Sequence, residues 1–286
     1  ELTLEANPDD LTEEKLEGWK ASGINRLSIG VQSFFEEDLR WMNRAHSATQ
    51  SISGLELALR YFDNITIDLI YGTPGLTNEK WEQNVKQAIA LGIPHLSCYA
   101  LTVEPKTPLD KLIRTAQYEN VSSDQQSEQF LLLMQWLEEA GYEHYEISNF
   151  ARPGWRSRHN SSYWKNQPYL GLGPSAHSYT GSERQWNIAN NNIYIESLKE
   201  DRIPFEKEIL TPVQQLNEYI MTSLRTMEGL SMSVVQQKWG EEKADRIQKI
   251  AKKYLGQQMM IIENTQLILT RKGKLFADYV AGELFV

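Results

Sequence analysis

The feature that most constrains this chain is a strand–helix alternation running through its first half. Leu2-Thr3-Leu4-Glu5 alternates apolar and polar residues as a strand does, and stops at Asn7-Pro8. Thr12 then caps a helix with acids in its first turn, and Gly23 closes it. Arg26 to Gln32 predicts the next strand, followed by a helix carrying Ile52, Leu55, Leu59 and Phe62. Ile65 to Tyr71 predicts a strand ending at Gly72-Thr73-Pro74-Gly75, and Thr77 caps a helix stopped by Gly92. His95 to Leu101 reads as a strand, about Asp124 to Glu139 as a helix ended by Gly141, and Tyr142 to Ser148 as a further strand. Strands joined through helices by short connections pair in parallel with right-handed crossovers. The expectation is an α/β fold, a (β/α) barrel or part of one, with a doubly wound sheet as the other candidate.

Polar residues fall at telling places in this pattern. Glu5, Gln32, Asp68 and Tyr99 each lie near the C-terminal end of a strand, spaced 27, 36 and 31 residues apart. In a barrel those ends open onto one face, where the loops build the site. Any one of them alone reads as a polar strand terminus. Four in consecutive units predict a ligand-binding mouth.

Composition narrows the class. With 286 residues, 41% hydrophobic and 23% charged, the chain has an ordinary globular make-up and no apolar run of membrane-spanning length. Its formal charge of −9 argues against nucleic acid and against anionic membrane. The single cysteine, Cys98, excludes an internal disulfide and a cysteine-built cluster, and fits a reducing, cytoplasmic setting. Because the chain begins with Glu1 inside an expected strand, it reads as a piece of a longer protein.

From Ala151 to Leu170 the texture changes. Arg152, Arg156, Arg158 and Lys165 occur there without any acid, interleaved with Trp155, Tyr163, Trp164 and Tyr169. One reading is a surface loop whose rings tuck back onto the barrel. The other is a site for a flat anionic ligand, with rings for its face and cations for its carboxylates. A glycine-rich turn follows, Gly171-Leu172-Gly173-Pro174-Ser175-Ala176-His177-Ser178. From Thr211 onward, three helices and a hairpin across Asn264-Thr265 predict a small α+β, winged-helix-like module, with a final helix from about Lys272. That module has ten basic and eight acidic residues, which suits a lid or docking element better than a DNA binder. The expected domains are 1–150, a barrel portion; 151–210, a basic and aromatic segment completing the barrel; and 211–286, the C-terminal module.

Several segments together resemble a known family. Leu-Glu-Ala-Asn-Pro at 4–8, Arg-Leu-Ser-Ile-Gly-Val-Gln-Ser-Phe at 26–34, Asn43-Arg44, Ile-Asp-Leu-Ile-Tyr-Gly at 67–72 and Leu-Thr-Val-Glu-Pro at 101–105 are similar to the oxygen-independent coproporphyrinogen III oxidase family of radical S-adenosylmethionine (SAM) proteins. Tyr-Glu-Ile-Ser-Asn-Phe-Ala at 145–151, His-Asn-Ser-Ser-Tyr-Trp at 159–164 and Gly-Leu-Gly-Pro-Ser-Ala-His-Ser at 171–178 resemble its HemW-like haem chaperone branch. The resemblance implies a partial radical-SAM-type barrel with SAM held by Glu5, Gln32, Arg44, Asp68 and Ala100. It implies haem as a further ligand, with His159 and His177 as candidate axial ligands and Arg156 and Arg158, with Arg152, as candidates for the propionates. Family members carry a Cys-x-x-x-Cys-x-x-Cys loop after the first barrel strand. This chain has none, so a [4Fe–4S] cluster is expected only in the full-length protein.

The resemblance therefore implies haem or porphyrin as ligand, a haem-acceptor protein as partner, and a weak contact with a membrane protein. It leaves the oligomeric state open, and whether the chain is an enzyme. Haem binding and delivery is the leading reading. The alternative is SAM-dependent oxidative decarboxylation of coproporphyrinogen III, and an unrelated barrel hydrolase built on Glu5 and Asp68 ranks last. His46, His95 and His144 have no setting comparable to that of His159.

Overall fold

The computed structural model describes all 286 residues, Glu1–Val286, in two compact units, Glu1–Ser157 and Arg158–Val286. In the first, β1 (Thr3–Ala6) leads through a 3-10 turn (Pro8–Asp10) and α1 (Glu13–Ala21) to β2 (Arg26–Gln32). Two helices, α2 (Glu36–Trp41) and α3 (Ala48–Ala58), precede β3 (Ile65–Tyr71), and α4 (Asn78–Ala90) precedes β4 (His95–Ala100). Then come α5 (Pro108–Arg114), α6 (Ser123–Glu139), β5 (Glu143–Glu146) and β6 (Asn149–Ala151). The six strands form one sheet in the order β1-β2-β3-β4-β6-β5, with β1 to β4 parallel. Consecutive order without a reversal is the arrangement of a barrel wall. A doubly wound sheet would reverse at a switch point.

Local chemistry explains the elements. The hydroxyls of Thr12 and Thr77 accept from the backbone N–H groups of Lys15 and Lys80, as the caps predict. Along β2 and β3 the residues alternate, so the two faces differ in kind. Leu27, Ile29, Val31, Ile65, Ile67, Leu69 and Leu96 are fully buried on one face, and Leu16, Leu55, Trp81, Val85 and Leu133 from the helices are fully buried too. Thr3, Glu5, Arg26, Ser28, Thr66, Asp68, His95 and Ser97 occupy the alternate positions on the other face, the one that lines a barrel's interior.

Two expectations need correction. Tyr142 to Ser148 is not one parallel strand. Ile147 and Ser148 form a two-residue turn, and β6 runs antiparallel to both β5 and β4. Nor do the strands that follow Ala151 join the six-stranded sheet. Ala151 ends β6, and in the second unit, after α7 (Arg158–Trp164), β7 (His177–Tyr179), β8 (Glu183–Asn187), α8 (Asn191–Lys199) and β9 (Phe205–Ile209), the three strands form their own antiparallel sheet. The short turn joining β7 to β8 permits only antiparallel pairing.

The C-terminal module holds α9 (Pro212–Leu224), β10 (Leu230–Ser231), α10 (Met232–Trp239) and α11 (Glu241–Gly256). The expected hairpin follows as β11 (Met260–Glu263) and β12 (Gln266–Leu269), and Asn264 and Thr265 both take positive φ in its turn. The expected final helix is split into α12 (Arg271–Lys274) and α13 (Ala277–Glu283). No helix is long and apolar enough to cross a membrane. At the start of α12, a Cβ on Gly273 would fall 1.9 Å from the Met259 carbonyl oxygen, backbone against backbone. Gly273→Ala is therefore expected to destabilise the module by several kcal/mol, on the order of an overpacked core, read as a lowered melting temperature. An unchanged melting temperature would contradict this packing.

Candidate functional site

The carboxyl ends of β1 to β3 surround a cleft of about 400 Å³ lined by Glu5, Asn7, Gly30, Gln32, Arg44 and Asp68, together with Ala6, Asp10 and Ser28. Three of the four strand-end residues singled out from sequence, Glu5, Gln32 and Asp68, thus meet in one place with Arg44, while the fourth, Tyr99, is not among the lining residues. Ala100, the last residue of β4, is not among the lining residues.

Local motifs aim each side chain. Arg44 follows a helix end in which Asn43 takes a positive φ and the Arg44 N–H reaches back to the Leu39 carbonyl at 2.9 Å, the hydrogen bond of a Schellman-type cap. Its guanidinium donates to Asn7 Oδ1 at 2.9 Å and approaches the Gly30 carbonyl at 3.5 Å. Gln32 ends β2 at a register irregularity with φ of +68°, a conformation costly for a side-chain-bearing residue. Gly30 leaves room for both: a Cβ there would lie 3.0 Å from Gln32 Nε2 and 3.4 Å from Arg44 Nη2. Asn7 and Gly30 were not nominated as site residues from sequence. The Asn-Pro turn at the end of β1 is the signal that could have found Asn7.

Electrostatics single out Asp68. Burial and the neighbouring Glu5 charge raise its carboxyl to about 6, against the pull of Arg26 and Arg44. Asp10, also at the rim, is paired with Lys15 at 2.6 Å, which holds its carboxyl below the usual range.

Below the cleft, Arg26 donates to Thr66 Oγ1, which lies 3.0 Å from His95 Nδ1, and His95 Nε2 lies 2.7 Å from the Tyr145 hydroxyl. Burial and Arg26 push His95 down to about 3, so the ring stays neutral. His46 and His144 bond to the carbonyls of Val31 and Ile147. These three histidines hold structure.

The basic, aromatic stretch is divided at the boundary between Ser157 and Arg158. In the first unit Arg156 pairs with Glu143 at 2.9 Å and lies over the Tyr145 ring, while Arg152 lies over Tyr142. The expectation of uncompensated cations is corrected for Arg156, because Glu143 comes across from the neighbouring strand. In the second unit His159 and Arg158 are exposed on α7. His159 Nε2 lies 3.1 Å from the Tyr163 hydroxyl, and Tyr163 meets Tyr169 edge-on at 4.7 Å. His177 stands elsewhere in that unit, opposite Trp186 on β8, where both border a cleft of about 490 Å³ with Pro204 and Phe205. His159 is not among the residues lining that cleft.

Comparison with known proteins places these features in a family. Residues 1–118 match the radical SAM superfamily and residues 210–276 the HemN C-terminal domain. The heme chaperone HemW of Bacillus subtilis is 34% identical over 284 residues, covering 99% of this chain and 75% of that protein. HemW of Mycobacterium tuberculosis is 32% identical over 286 residues, covering 99% and 71%. Among solved structures, the coproporphyrinogen III oxidase HemN of Escherichia coli, described as a radical SAM enzyme, matches all of this chain and 70% of its own, with a TM-score of 0.82 at 23% identity, a likeness of fold.

The raised Asp68 carboxyl gives a stability prediction. Its folded value lies above that of an unfolded aspartate, so ionisation costs stability increasingly as pH rises from about 4 to 7. Asp68→Asn should stabilise the chain by up to about 3 kcal/mol at pH 8 and by less than about 1 kcal/mol at pH 4, measured by urea unfolding. An equal effect at both pH values would contradict the assignment.

Proposed function

Since the chain belongs to the HemW family of radical SAM proteins, we propose that it binds haem for delivery to an acceptor protein and binds SAM in the cleft at the β1–β3 strand ends. The observation that carries the haem reading is the His-Asn-Ser-Ser-Tyr-Trp element. It forms its own helix, with His159 exposed at its head and Tyr163 one turn on. His159 is the axial ligand in this reading, through an imidazole nitrogen released from Tyr163. Arg158, on the same helix, is the propionate partner, and Arg152 and Arg156 are the further candidates from the resemblance. Arg156, engaged by Glu143, contributes less. His177 beside Trp186 is the second candidate ligand.

The cleft residues suit SAM by their chemistry. Arg44 can pair with the methionyl carboxylate, and Glu5 can accept from the amino group or from ribose hydroxyls. Gln32 offers both an acceptor and a donor, and Ala100 contributes at the end of β4. In the family SAM supplies radical chemistry together with a reduced [4Fe–4S] cluster. The one cysteine here, Cys98, is 1% exposed and no cluster of potential metal ligands is present, so these residues do not fit such a cluster. Its ligands are assigned to the full-length protein. A cytoplasmic setting agrees with the lone reduced cysteine, and the haem acceptor and a weak membrane-protein contact complete the set of partners.

Titration with haemin should give a Soret shift that His159→Ala abolishes and Arg156→Ala weakens only modestly, as expected for an ion pair worth about 0–1 kcal/mol. Loss of the shift in His177→Ala instead would move the ligand to the β7–β8 sheet. Loss in neither would favour the oxidase alternative. For the cleft, Arg44→Ala should weaken SAM binding by about 10- to 100-fold in calorimetry, the worth of a charged hydrogen bond. Gly30→Ala should weaken it too while leaving the melting temperature nearly unchanged, since only side-chain ends must move. Wild-type affinity in both variants would place SAM elsewhere.

A further inference from the structure

The Tyr-Glu-Ile-Ser-Asn-Phe-Ala segment at 145–151 has no part in the reading above, yet it buries a carboxylate. Glu146 is 2% exposed and Asn149 6%. Sheet register explains why they are there: Asp68 on β3, Ser97 on β4, Asn149 on β6 and Glu146 on β5 are successive cross-strand partners. They form one transverse polar row whose far end is Asp68 in the cleft.

The direction of hydrogen bonding along this row is fixed from the buried end. Glu146 Oε2 accepts from Asn149 Nδ2 and from the Ser148 backbone N–H at 3.3 Å. Two donors converge on one oxygen, so the Asn149 amide turns its NH2 to Glu146 and its Oδ1 to Ser97. Ser97 Oγ lies 2.8 Å from that Oδ1 and must donate to it. A hydroxyl has one proton, and this one is committed. Toward Asp68, Ser97 offers only lone pairs.

We propose that Glu146, Asn149 and Ser97 are positioning residues that polarise this row so that Ser97 can only accept from Asp68: it bonds the protonated carboxyl and offers nothing to the ionised one, and one Asp68 oxygen is left to accept from the ligand. The groups facing Asp68 are Glu5 from β1, Arg26 from β2, Arg44 from the turn after α2, and Tyr99 from β4. Cys98 lies behind it on the apolar face, and Glu146 is at the end of the row. Glu5 and the burial of the site raise the Asp68 carboxyl. A hydrogen bond donated by Ser97 would lower it, and it is the commitment of the Ser97 proton to Asn149 that takes this donor away. Below about pH 6, with Asp68 protonated and Asp10 paired to Lys15, Glu5 and Arg44 remain as one anion and one cation. That balance matches a zwitterionic amino-acid end on the ligand, a hydroxyl of which can donate to Asp68. The ligand part rests on the SAM reading. The row does not.

The test is a carboxyl-carbon NMR titration of the full chain with labelled aspartate, Asp68 being assigned by the resonance missing in Asp68→Asn. Wild-type Asp68 should titrate near 6. Ser97→Ala removes the acceptor and should lower that midpoint by about one pH unit, and Ser97→Thr should restore it. A rise in Ser97→Ala would mean that Ser97 donates to an ionised Asp68 and would overturn the proposal, as would no change. Should Ser97→Ala fail to fold, Asn149→Ala gives the same decision. It frees the Ser97 proton to turn to Asp68, so the midpoint should fall, and an unchanged midpoint would overturn the row. Calorimetry with SAM on the wild-type chain separates the two readings. If Asp68 titrates as expected but no SAM binds, the SAM assignment fails and the row stands. If SAM binds and Asp68 responds in the opposite sense, the row fails and the cleft stands.

Discussion

The whole of the first unit depends on the contrast between the two faces of one parallel sheet. On one face Leu27, Ile29, Ile65, Ile67, Leu69 and Leu96 are sealed beneath helices without a polar atom among their side chains. Apolar burial of this kind, worth about 1.5–3 kcal/mol per large side chain, is what stabilises the wall. The other face is polar along its length. Buried polar groups are costly unless they are bonded. Here Arg26, Thr66, His95 and Tyr145, and Ser97, Asn149 and Glu146, bond to one another in rows that follow the strand register, while Thr3 Oγ1 and Arg26 Nε are left without a hydrogen-bond partner. The sheet could not reverse its faces without burying Arg26, Asp68 and His95 under the helices. Register is thereby fixed, and with it the convergence of the strand ends.

That convergence is a consequence of geometry rather than of any one residue. Parallel strands in consecutive order deliver their carboxyl ends to one side, where Glu5, Gln32 and Asp68 emerge, and the helix cap at Asn43 swings Arg44 back over them. The strained backbone at Gln32 and the missing side chain at Gly30 are the local concessions that let the cleft exist. Beneath it, one row begins at the donor Arg26 and another ends at the acceptor Glu146. Each end group dictates the orientation of the neutral groups next to it. A half-open wall with a polar inner face thus becomes a site with assigned proton positions.

Much of this was legible in sequence, and for a clear reason. The spans of β2 and β3 are those the alternation predicts, because strict period-two patterning survives when one face is apolar and the other polar. Where tertiary context decides, the sequence misleads. Residues 142–148 read as one strand because the Ile147-Ser148 turn uses no glycine or asparagine and no positive φ, so it lacks the usual signal of a hairpin. The charge count across 151–170 suggested free cations, since the partner of Arg156, Glu143, lies outside that window. Arg44 had to be brought in through a family resemblance, because a helix cap gives no periodic signal.

The account stands or falls on whether the polar strand ends of β1, β2 and β3 form one binding cleft. The most direct measurement is the backbone amide spectrum of the isotope-labelled chain on addition of S-adenosylhomocysteine, a non-reactive relative of SAM. The amides of Ala6, Gly30, Gln32, Arg44 and Asp68 should shift together along one saturable curve, while those of the C-terminal module, such as Ala251 and Leu267, stay in place. Shifts confined to the second unit, or none at the strand ends at saturating ligand, would contradict it.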